Sequence, residues 1–95
     1  IAKDYAYETI TILQKPEADF IAHPVSGKPP LTVQFEDRSL GFPTSWLWDF
    51  GDSVKSYDQN PVHIYSESGN YTVSLSVFSD EGSSLKTKDG FITVQ

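Results

Sequence analysis

Residues 45–52 read Ser45-Trp46-Leu47-Trp48-Asp49-Phe50-Gly51-Asp52. Trp46, Trp48 and Phe50 recur at every second position, so on a β-strand their rings share one face while Leu47 and Asp49 take the other. Each large ring removes roughly 150–250 Å² from water when buried, at about 25 cal/mol per Å². Together the rings represent several kcal/mol in a domain whose net stability is roughly 5–10 kcal/mol, too large a share to leave in solvent. The stretch is therefore predicted as a core strand, with Trp48 and Phe50 buried and Trp46, nearer its start, partly exposed. Gly51 supplies backbone freedom for the turn that follows. Asp52 is placed to hydrogen-bond amides just ahead of it, and Asp49 to tie down turn hydroxyls or amides. On this reading the two aspartates fasten a turn and are not a catalytic pair.

Outward from this stretch the chain carries strand signals throughout. Tyr71-Thr72-Val73-Ser74-Leu75-Ser76-Val77 alternates apolar and hydroxyl residues, and Leu31-Thr32-Val33-Gln34-Phe35-Glu36 does the same. Thr9-Ile10-Thr11-Ile12, Val62-His63-Ile64-Tyr65 and Phe91-Ile92-Thr93-Val94 are short β-branched or aromatic runs. Turn clusters separate them at 24–30, 40–44, 58–61, 66–70 and 80–84. No window sustains a helical apolar period. Short strands at this spacing predict an all-β, immunoglobulin-like antiparallel sandwich of about seven strands, without a disulfide since the chain has no cysteine.

Composition narrows the function. The 95 residues fit one small domain, and the formal charge of −6 with scattered Lys and Arg disfavours nucleic acid and anionic membrane surfaces. No apolar run approaches the roughly 18 residues of a membrane-spanning helix, so no membrane insertion is expected. Thiolate metal sites are excluded by the missing cysteine. The sequence has no Met, which reads as a piece of a larger protein. Its two ends echo each other: Lys3-Asp4-Tyr5 followed by Ile10-Thr11-Ile12-Leu13-Gln14, and Lys88-Asp89-Gly90-Phe91-Ile92-Thr93-Val94-Gln95. Residues 1–16 are accordingly read as the closing strand of a preceding module plus a linker, or else as an extra edge strand. Residues 17–95 form the module itself, and modules in series imply a string of beads.

Several segments together carry a resemblance to a known family. They are Trp48-Asp49-Phe50-Gly51-Asp52, then Gln59-Asn60-Pro61-Val62-His63-Ile64-Tyr65, then Gly69-Asn70-Tyr71-Thr72-Val73-Ser74-Leu75. In this order and spacing they resemble the signature of the polycystic kidney disease (PKD) domain. Ala18-Asp19-Phe20 and Pro30 to Phe35 resemble its opening, and Thr87 to Val94 its closing strand. Ser53 stands where the family usually has Gly, which implies either a left-handed residue at a cost or a different turn. Some family members bind calcium through an acidic loop before the Trp strand. Here that stretch is Leu40-Gly41-Phe42-Pro43-Thr44-Ser45, with no carboxylate. Asp37, Asp49 and Asp52 remain as weak calcium candidates, with Asp58 behind them. Calcium takes six to eight oxygens, so no metal and no cofactor is expected.

The resemblance implies a non-catalytic extracellular module at the cell surface. It would act as a spacer or adhesion unit in a multi-domain, surface-layer-type protein, touching neighbouring domains of the same chain, other surface proteins or polysaccharide. The alternative is a substrate-binding accessory domain of a secreted protease, collagenase or chitinase, gripping its ligand with Trp46, Phe42, Tyr57, Phe78 or Tyr5. Among the remaining candidates, Tyr71 after Gly69 fits a tyrosine corner. Asn70-Tyr71-Thr72 is a glycosylation sequon, with a turn Asn at positive φ as the plainer alternative. His63 is expected as a hydrogen-bonded sandwich residue and His23 as a loop residue. Two histidines without a neighbouring nucleophile make no triad, so no catalytic residue is expected.

Overall fold

The computed structural model describes residues 15–95. Eight strands follow in order: β1 (Phe20–His23), β2 (Ser26–Gly27), β3 (Leu31–Asp37), β4 (Ser45–Asp49), β5 (Lys55–Ser56), β6 (Val62–Tyr65), β7 (Gly69–Ser79) and β8 (Gly82–Val94). They form two sheets, one in the order β1-β3-β6 and one in the order β2-β8-β7-β4-β5. The sheets pack as a β-sandwich, and among the described residues no helix is long and apolar enough to cross a membrane. Two of the eight, β2 and β5, are two residues each, too short to leave a periodic trace.

Side-chain alternation decides which face of each strand is buried. In β7, Val73, Leu75 and Val77 point inward, while Thr72, Ser74, Ser76 and Phe78 face out. In β3 the inward residues are Leu31, Val33 and Phe35. Between the sheets lie Phe20, Phe35, Trp48, Phe50, Tyr65 and Ile92, which with the inward valines and leucines form one core cluster. The Trp48 ring meets Phe20 edge-on at 5.1 Å, Phe35 at 5.3 Å and Phe50 at 6.3 Å. These are the offset and edge arrangements that aromatic quadrupoles favour.

Two features depart from the sequence expectation. The closing strand, expected over Thr87 to Val94 with its β-branched run from Phe91, begins earlier as the thirteen-residue β8 and pairs along its length with β7. Its inner face runs Ser84, Lys86 and Lys88, opposite Val77, Leu75 and Val73, before turning apolar at Ile92 and Val94. A bulge between Tyr71 and Val73 accommodates Asp89 and Gly90, where the Gly90 amide donates to Thr72 Oγ1 at 3.1 Å. The second departure is Asn70, which lies in extended β7 opposite Thr93 and is not a left-handed turn residue.

The closing strand proposed for residues 1–14, and Tyr5 within it, lie outside the described residues. The chain enters the sandwich at Glu17, whose amide and carbonyl both pair with Leu40 at 2.9 Å.

Candidate functional site

The signature stretch folds because β4 must leave the core abruptly. Phe50 is its last buried ring, and its amide donates to the Val54 carbonyl at 3.2 Å to close the turn into β5. Gly51 has φ +87°, and a Cβ there would collide with the Thr72 carbonyl oxygen, so only glycine lets the turn lie against β7. Asp49 Oδ1 accepts the Gly51 amide at 3.0 Å and Asp52 Oδ1 accepts the Val54 amide at 3.3 Å. Ser53, standing where the family has Gly, adopts φ 74°. It takes the left-handed conformation at a cost.

A ladder of rings continues from this turn. His63 stacks on Phe50 at 4.2 Å with the planes 9° apart, and its Nε2 donates to Asp52 Oδ2 at 2.7 Å. Tyr65 crosses His63 edge-on at 4.7 Å and donates its hydroxyl to the Phe50 carbonyl at 2.8 Å. Burial pushes the Tyr65 hydroxyl well above its ordinary value, and the neighbouring Asp52, Tyr71 and Asp49 add to the shift, so the donor stays protonated. Tyr71 donates to the Glu67 carbonyl at 2.7 Å, the corner anticipated for it. The Trp48 indole N–H donates to the Gln59 carbonyl at 3.3 Å. The bonds made by Asp49, Asp52, His63, Tyr65, Tyr71 and Trp48 thus hold the turn and the adjoining strands together.

The other carboxylate candidate belongs to a second cluster. Asp37 Oδ2 accepts the Trp46 indole N–H at 3.0 Å and the Gln59 amide at 3.1 Å, while Oδ1 accepts the Ser39 amide at 2.9 Å. Burial alone would raise the Asp37 carboxyl. The bonds from Ser39, Gln59 and Trp46 outweigh that and hold it below its ordinary value. Asp37, Asp49 and Asp52 therefore serve separate amide, indole and imidazole partners. Among the described residues no group of three His, Cys, Asp or Glu is arranged to hold a metal ion.

The rings considered as ligand contacts separate sharply. Phe42 is 94% exposed and Tyr57 78% exposed, both on loops, whereas Phe78 is 39% exposed on the outer face of β7. Trp46 is half-buried against the core. Phe42 and Trp46 line one groove with Leu40, Pro43, Asp37 and Gln59. Two features escaped the sequence reading. One is the bond from Tyr65 to Phe50, since a buried tyrosine in a short strand does not announce its acceptor. The other is Lys88, which donates to the Phe20 carbonyl across the sandwich and lies over the rings of Phe20 at 4.7 Å and Phe91 at 5.0 Å. Its phase with Ile92 and Val94 was the available signal.

Comparison with known proteins follows the same segments. The family model of the PKD domain matches residues 13–94. Collagenase ColQ1 of Bacillus cereus (strain Q1) is 46% identical over 55 residues, covering 52% of this chain and 6% of that protein. The crystal structure of the PKD1 domain from the Vibrio cholerae metalloprotease PrtV aligns with a TM-score of 0.70 at 30% identity, covering 86% of this chain and 99% of that one. A structure described for the promiscuous specificity of carbohydrate-binding modules from the β-sandwich superfamily aligns with a TM-score of 0.76 at 26% identity. It covers 88% of this chain and 36% of that one. The chain thus spans a small fraction of the collagenase it matches.

Proposed function

The chain belongs to the PKD domain family, whose members are non-catalytic modules, and from that premise we propose that it is the substrate-binding accessory part of a larger secreted hydrolase. In this reading it holds the enzyme against an extended polymer outside the cell. The observation that carries it is the exposure of Phe42 and Tyr57 on loops, at 94% and 78%, beside a signature turn whose aspartates bond to backbone amides and to His63. Large rings held in solvent, away from a well-filled core, are a feature of contact surfaces. The likeness to a collagenase and to a carbohydrate-binding module supports a polymeric ligand.

A second reading, a spacer in a surface-layer-type protein, draws on the same internal closure of the signature turn. Retention on insoluble collagen and on chitin separates the two. The accessory reading expects retention on at least one of them, lost in Phe42→Ala or Tyr57→Ala, both of which leave the core untouched. Absence of retention on either solid would favour the spacer.

A further inference from the structure

We propose that the groove between the Leu40–Pro43 loop and Trp46 is a docking site for an extended, proline-containing peptide segment bearing lysine or arginine. The inference rests on the accessory reading above, because the same ring, Phe42, makes the contact. Its starting point is backbone strain. Gly41 has φ 85° and Phe42 has φ 53°, so two successive residues are left-handed. At Gly41 the reason lies within the domain: a Cβ there would meet Pro16 Cα at 2.7 Å and the Lys15 carbonyl oxygen at 2.8 Å. At Phe42 nothing local repays the cost. A bulky residue in that region is an outlier, and the following Pro43 favours extended backbone instead. The ring so displayed touches almost nothing, being 94% exposed. Strain that a domain does not recover within itself is a pointer to contact with something else.

The shape and charge of the groove select the partner. Leu40, Phe42, Pro43 and Trp46 supply apolar walls, with Asp37, Ser39 and Gln59 along one side. Short aromatic-lined grooves suit a polyproline helix, which is already extended and loses little entropy on docking. The groups bonded to Asp37 are all neutral donors, Trp46, Gln59 and Ser39, and among the described residues no cation pairs with its negative charge. The net charge of −6 extends that bias over the molecule. A cationic side chain here would meet a fixed carboxylate and two aromatic faces.

The test uses the full chain, isotopically labelled, titrated with a synthetic peptide of prolines interrupted by two arginines and followed by NMR. The proposal expects shifts at Gly41 and at the Trp46 indole N–H. Binding should weaken at least tenfold when the arginines are replaced by glutamates or when Phe42→Ala is introduced, and it should weaken with added salt. Equal binding of the glutamate peptide, or retention in Phe42→Ala, would overturn it. If a chitin oligosaccharide shifts those signals and the arginine peptide does not, the peptide inference falls while the polymer-binding reading stands. If neither probe binds and the solid polymers are not retained, both fall.

Discussion

Gly51 has no room for a methyl group. Its φ of +87° and the Thr72 carbonyl facing it make two separate penalties for any side chain. Gly51→Ala is predicted to cost more than about 2 kcal/mol in urea denaturation, from left-handed strain plus displacement of β7. Tyr65 makes a pH-dependent prediction. Its hydroxyl is raised above the ordinary 10.0, so the folded chain holds a proton that the unfolded chain has lost at high pH. That contribution is complete below about pH 10 and disappears as pH climbs toward the folded value. Melting at pH 8 to 11 should therefore show a steeper alkaline loss in the wild type than in Tyr65→Phe. The variant should start about 1–2 kcal/mol lower at neutral pH, because the buried Phe50 carbonyl loses its donor. At this scale the sequence was legible where period two applied: Trp48 and Phe50 are the rings at 0% and 2% exposure. The left-handed φ of Phe42 was not, because a bulky residue followed by proline reads as extended backbone.

Among elements, β8 carries the main lesson. Its first half was not read as strand because Ser84, Lys86 and Lys88 occupy the inward phase, where an apolar residue is the usual sign of pairing. Lys86 is tolerated because it is exposed, and Ser84 and Lys88 because each finds a local use at the margin of the sandwich. Ser84 Oγ accepts the Ala18 amide at 2.9 Å, and Lys88 reaches the Phe20 carbonyl while its Nζ lies 3.7 Å from Asp19 Oδ1. Lys88 thereby joins the last strand to the first across the two sheets. Lys88→Ala should lower stability by about 1–2 kcal/mol, since it removes a charge-assisted bond and the packing of the stem over two rings. Lys86→Ala, at an exposed position on the same strand, should change it by less than about 0.5 kcal/mol. Equal effects at the two positions, measured by thermal melting, would show that Lys88 is no latch. The short β5 was invisible for a different reason: two residues leave no alternation, and only the β4 turn aligns them with Trp48 and Asp49.

For the molecule as a whole, the sandwich could be read from alternating runs and turn spacing. Function could not be read in the same way, since one sandwich serves many roles. What decides between chemistry and support is whether the clustered aromatic and acidic residues face solvent or each other. In the structure Trp48 is enclosed by Phe20, Phe35 and Phe50, and the aspartates beside it bond to amides and an imidazole. Phe42 and Tyr57, the rings proposed for binding, take no part in that core. The most direct test is urea denaturation of Trp48→Ala beside Tyr57→Ala. The account predicts a loss of about 3–5 kcal/mol for the first, through the cavity it opens, and almost none for the second. An unchanged midpoint in Trp48→Ala would contradict it.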